Sequence, residues 1–186
     1  MDQRFREVLD KQAIQDVVLR YARAADRLDW QLAASCFHED GVMDASFWKR
    51  PAHDEYADRI NGLSMGHIGV WATLTAHYMM NCLIELDGES AHVETYCVAF
   101  HRTRDGALPT PLLHPERLGG AEERDVWMGI RYVDRFERRS NEWKIANRVL
   151  IFDWTRVESV EATLDLNGLH RGRRDRTDLA YFSGGR

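Results

Sequence analysis

Two residues in this chain have the right types for proton transfer: Asp26, in RYARAADRLDW, and His77, in TLTAHYMMNCLIEL. Asp26 follows an otherwise apolar turn (Ala22, Ala24, Ala25, with Leu28 beyond), and His77 stands near the start of a run of strand formers. A buried histidine needs a partner for its ring nitrogens, and a carboxylate at a helix end can supply one. Held this way, an imidazole offers its second nitrogen as a general base while the aspartate fixes the tautomer and steadies the imidazolium. The same residues are also compatible with a satisfied core histidine and an aspartate that only caps its helix. Two more groups could polarise a substrate oxygen: Tyr21, five residues before Asp26, and Arg148, in WKIANRVLIF. Arginine on a core strand is uncommon unless paired, so Arg148 reads either as a ligand clamp or as an edge-facing surface residue. The aromatic residues Trp30, Trp48, Tyr56, Trp71 and Trp154, together with Asn81 on the face expected to carry His77, are the candidates to line a pocket for a flat, apolar molecule.

Other chemistries find less support. There are eight histidines, but no HExxH, no CxxC pair and no His/Cys cluster at ligand spacing. No metal is expected. The absence of GxGxxG, GxxxxGK[ST] and GxSxG disfavours nucleotide cofactors and an α/β-hydrolase nucleophile, so no cofactor is expected. The formal net charge is −5, from 25 Lys and Arg against 30 Asp and Glu, which argues against nucleic acid as a partner. The one basic cluster, RGRRDRTD near the C-terminus, is interrupted by acids and reads as a solvated tail or subunit contact. Cys36, Cys82 and Cys97 form an odd set, and MDQRFREVLD has no leader pattern, so a reduced, cytoplasmic setting is the expectation. The longest stretch free of Asp, Glu, Lys and Arg, residues 60–84, is too polar for a membrane span.

These residues need elements to position them. Apolar residues at Phe5, Val8, Leu9, Ile14, Val17, Val18, Tyr21 and Ala25 recur at spacings of three and four, the mark of an amphipathic helix that breaks near Asp26. A second short helix follows, with Asp29 as its N-cap. HEDG at 38–41 reads as a turn into a short strand, and a third helix is expected over about 54–71. The period then changes to that of strands: 75–86, a turn at Asp87-Gly88, then 91–104, 125–138 and 142–154. Residues 105–123 hold three of the four prolines and read as a long loop. Helices followed by a meander of strands predict an α+β fold. The expected form is a cone-shaped, curved antiparallel sheet with three N-terminal helices packed on it, enclosing a pocket. On this reading the domain covers 1–154, and 155–186 is a C-terminal extension that caps the pocket or mediates assembly.

The order of Y-x4-D-x2-D-W, CFHEDG, HYMMN and FERRSNEWKIANRV resembles the SnoaL-like group of the nuclear transport factor 2-like superfamily, which includes scytalone dehydratase. The resemblance spans about 11–154. In the dehydratase-like branch an Asp at the end of the first helix and a His on the following long strand form the catalytic dyad, and Asp26 and His77 match those places. Tyr21 matches the family's helix tyrosine, and Arg148 best matches an arginine on its last long strand. The resemblance further implies no metal or organic cofactor and a homotrimer.

The function expected is a cofactor-independent lyase acting on a hydrophobic aromatic or polycyclic small molecule by dehydratase-like elimination or retro-aldol C–C cleavage, a role in aromatic compound catabolism. The alternatives are the non-catalytic β subunit of a ring-hydroxylating dioxygenase, or a small-molecule-binding or isomerase member of the same fold.

Overall fold

The computed structural model describes residues 2–45, 49–51, 72–103, 123–160 and 165–181. Helix α1 covers Gln3–Arg27, and Asp2 caps it by accepting from the Arg4 N–H at 3.1 Å. Its second half carries the buried stripe Ile14, Val17, Val18, Tyr21, Ala24 and Ala25, whereas Phe5, Val8 and Leu9 are exposed. The sequence groups those three with the core; instead they continue the apolar period past the sheet. Leu28 ends the helix in the left-handed region (φ 53°), its N–H reaching back to the last-turn carbonyls. Helix α2, Trp30–Ser35, starts from Asp29, whose side chain accepts from the Leu32 N–H, as expected of an N-cap.

The strands are β1 (Phe37–Asp44), β2 (Lys49–Pro51), β3 (Ala72–Asp87), β4 (Ser90–Thr103), β5 (Arg124–Arg139) and β6 (Glu142–Ser159). They form one sheet in the order β2–β1–β6–β5–β4–β3. Strands β3 to β6 make the expected antiparallel meander. The sheet is not wholly antiparallel, because β1 returns alongside β6 in parallel. HEDG is not a turn before β1 but part of it: the register with β6 shifts between Phe37 and Val42. Two helices lie among the described residues, and the third expected helix falls outside them.

One face of the sheet is the core face. It carries Val93, Cys97 and Ala99 of β4, Val126, Ile130, Tyr132 and Phe136 of β5, and Ile145 of β6, against Val17, Val18, Tyr21 and Ala25 of α1. The opposite face leaves Tyr78, Met80, Leu83, Tyr96 and Trp154 exposed. Strand β6 runs to Ser159, five residues beyond the expected domain boundary. Residues 165–181 then pack back on the helices: Tyr181 Oη donates to Asp29 Oδ2 at 2.9 Å, Arg23 donates to the Ala180 carbonyl at 2.7 Å, and Arg27 pairs with Asp178 at 3.3 Å. Within the basic cluster residues 171–173 and 175–177 are exposed, as a solvated segment is, while Asp178 is buried and docks it on Arg27. The Arg173 and Ala180 N–H groups, with Arg27, hold the Asp178 carboxyl down at about 2. No helix among the described residues is long and apolar enough to cross a membrane.

Candidate active site

Strand β3 is an edge strand, so alternate N–H groups along it have no ladder partner. Asp26, in the last turn of α1, takes one of these. Its Oδ2 accepts from the His77 backbone N–H at 3.0 Å and its Oδ1 accepts from His77 Nδ1 at 2.7 Å. Both carboxylate oxygens thus serve one residue, fixing the ring and its tautomer together. The proton sits on Nδ1, because an ionised carboxylate can only accept. Nε2 is left bare and makes no hydrogen bond among the described residues. Asp26 does not cap α1; the Leu28 N–H does.

His77 belongs to the core face with Thr75 and Met79. A bulge between Met79 and Cys82 then moves the phase by one residue. Strict alternation would place Asn81 and Leu83 beside His77, but the bulge turns both to the exposed face and brings Cys82 and Ile84 inward. Asn81 is therefore not beside the dyad.

Tyr21 and Arg148 form a second cluster. An extra residue at Ala146, where β6 slips against β5, puts Arg148 on the core face rather than with Lys144. It is fully buried (0% exposed), bidentate on Asp134 at 2.8 and 2.7 Å, and sandwiched 4.2 Å from the ring centroids of both Tyr21 and Tyr132. It is neither an edge residue nor an open clamp, and its Nη1 alone lacks a hydrogen-bond partner. Burial opposes its charge, but the Asp134 carboxylate outweighs burial and keeps it protonated. Cys97 lies between the two clusters and feels both Asp26 and Arg148. Burial first, then the Asp26 charge, pushes its thiol up to about 12, so it is an inert wall.

The pocket candidates fare unevenly. Trp30 opens α2 and packs half-buried against the core. Trp154 is 49% exposed on the opposite face, lying over Gly129, because its partner in register is Gly129 and not the inward Ile130. It cannot line a pocket on the helix side. Trp48, Tyr56 and Trp71 lie outside the described residues.

Three residues near His77 escape the sequence reading. His101, in β4, is buried (2% exposed), and its ring meets His77 edge to face at 5.3 Å. Burial pushes its pKa well below the usual histidine range, and the charges of His77 and Arg174 act in the same direction. Thr75 sits directly across the ladder from His101, with a buried hydroxyl that has no hydrogen-bond partner among the described residues. Arg174, from the C-terminal segment, donates to the Ala72 carbonyl at the start of β3. The one signal available in the sequence was alternation: Thr75 is two residues before His77. Among the described residues, no three His, Cys, Asp or Glu side chains gather as a metal site.

The comparisons agree with this geometry at the level of fold. A SnoaL-like domain model matches residues 6–149. A candidate scytalone dehydratase from Novosphingobium aromaticivorans DSM 12444 is 21% identical, over 87% of this chain and 95% of that one, with a TM-score of 0.62. A hexachlorocyclohexane dehydrochlorinase is 14% identical over 88% and 97%, with a TM-score of 0.68. A candidate aromatic ring hydroxylase from Novosphingobium aromaticivorans is 21% identical over 82% and 94%, with a TM-score of 0.63. At such identities the likeness establishes the fold alone. No curated protein sequence matches the chain. With residues 6–149, over three quarters of its length, matched by one family model, the chain belongs to the SnoaL-like family.

Proposed function

We propose that the protein is a cofactor-independent lyase that eliminates water or halide from a hydrophobic aromatic or polycyclic molecule, with His77 as general base. One observation carries this reading: both oxygens of Asp26 are committed to His77, leaving its Nε2 bare. A core histidine kept for packing alone needs no such double hold.

In the reaction, Nε2 takes a proton from a carbon next to an activating group. The C–H electron pair becomes the new double bond and the leaving group departs with its own bonding pair. Asp26 stabilises the imidazolium and keeps its orientation. Arg148, fully buried on Asp134 and against the ring of Tyr21, takes the part of bracing the core face behind the dyad rather than meeting substrate. If the proton comes instead from a hydroxyl, the same base drives retro-aldol cleavage. The names of the scytalone dehydratase-like and dehydrochlorinase relatives favour elimination. The likeness to a candidate ring hydroxylase keeps the dioxygenase β-subunit reading in view, but a subunit of that kind has no need of the dyad.

General-base help is worth roughly 10²–10⁴ in rate. On a panel of hydroxylated and halogenated cyclic compounds, the protein turns over at least one without added metal or cofactor, and His77→Ala loses at least about 10² of kcat. An unchanged rate in His77→Ala would sink the assignment.

A further inference from the structure

The C-terminal segment approaches the site at one point. Ala72, Thr75, His101 and Thr103 form a buried patch where β3 and β4 pair, with Ala72 opposite Thr103 and Thr75 opposite His101. Arg174 reaches this patch from the segment and donates to the Ala72 carbonyl. Its charge bears on His101, which in turn stacks edge-on against His77 at 5.3 Å. Beyond Arg174 the segment is fastened to the end of α1 and the start of α2. Asp178 accepts from the Arg173 N–H at 2.8 Å and pairs with Arg27, one residue from Asp26, and Tyr181 donates to Asp29. The fastening points therefore bracket the helix end that carries Asp26.

We propose that Arg174 is a positioning residue of the dyad: by docking on Ala72 it holds His101 as the wall against which His77 stacks, so that the C-terminal segment completes the site. The proposal rests on the reading of Asp26 and His77 as a working pair. Its chemical content is electrostatic as well as steric. Among the described residues, the titratable groups whose charge bears on His101 include His77 from β3 and Arg174 from the segment, with Asp26 of α1 beyond His77. A guanidinium beside an imidazole disfavours a second positive charge there. His101 thus stays neutral while His77 accepts its proton, and two imidazolium ions never form face to edge in one buried site.

The test uses the full chain and does not need the substrate. Ring-proton NMR titrations of His77 and His101 are recorded for the wild type, Arg174→Gln, Arg174→Lys and Asp178→Asn. In Arg174→Gln the His101 midpoint rises by about one pH unit. In Arg174→Lys, which keeps the charge, it remains near the wild-type value. Asp178→Asn, which loosens the segment and leaves Arg174 intact, moves it upward as well and decides the matter should Arg174→Gln fail to fold. A His101 midpoint unchanged in both Arg174→Gln and Asp178→Asn overturns the proposal, and so does an equal shift in the Lys and Gln variants. Failure of the dyad reading is separate, because it appears as undiminished turnover in His77→Ala, whatever the Arg174 and Asp178 variants do to His101.

Discussion

At the scale of single residues, two carboxylates on the core side do different work. Asp26 is partly accessible and fixes a titratable ring. Asp134 is sealed with Arg148, both fully buried, and the pair is closed on three sides by Tyr21, Tyr132 and Phe37. An ion pair of this kind gains little net stability over an apolar core, but removing one partner strands the other. Asp134→Ala should cost about 3–5 kcal/mol of unfolding free energy, read from urea denaturation. A loss below about 1 kcal/mol would mean that water reaches Arg148 in solution. The residue types of the dyad are legible in the sequence because a carboxylate at a helix end and a histidine in a strand are each unusual there. Asp134, His101 and Thr75 are not, because what makes each notable is its cross-strand partner, and pairing across a sheet leaves no trace in local spacing.

Among the elements, long periods carry and phase slips do not. The helix period of α1 and the alternation of β3 to β6 predict those elements to within a few residues. Each bulge inverts every assignment downstream of it. One slip near Asn81 takes that residue off the dyad's face, and another at Ala146 brings Arg148 onto the core face. The slip in β1 has its own signature. Gly41 looks like a turn glycine in HEDG, but it serves close approach: a Cβ there would lie 2.8 Å from the His38 carbonyl oxygen and 3.1 Å from that of Ile145. Backbone cannot retreat as a side-chain tip can. Gly41→Ala should therefore destabilise by about 1–3 kcal/mol, seen as a lower thermal midpoint, while a fully exposed turn at that site would tolerate alanine.

At the scale of the whole molecule, two surfaces remain to be accounted for. The C-terminal segment folds back on the helix end that holds Asp26, which its charge-rich composition does not reveal because the docking partners are Asp29, Arg27, Arg23 and the Ala72 carbonyl, all far away in sequence. The exposed sheet face carries Tyr78 (56% exposed), Met80, Leu83, Tyr96 and Trp154, and Met80, Tyr96 and Trp154 border a groove of about 330 Å³. We propose this apolar face as a contact surface of the homotrimer that the family resemblance implies. Light scattering on the purified protein should give three times the 21.6 kDa chain mass, and Tyr78→Glu should lower it. A monomer that assembles only with a second protein would favour the dioxygenase-subunit reading. A histidine whose Nδ1 proton is held by Asp26 and whose Nε2 stands bare can be observed without any substrate. The ¹⁵N spectrum of the imidazole of His77 at about pH 8, where free imidazole is neutral, reports the tautomer. The account predicts a protonated, hydrogen-bonded Nδ1 and an unprotonated Nε2, with that tautomer lost in Asp26→Ala. A proton on Nε2 in the wild type, or a spectrum unchanged by Asp26→Ala, would contradict it.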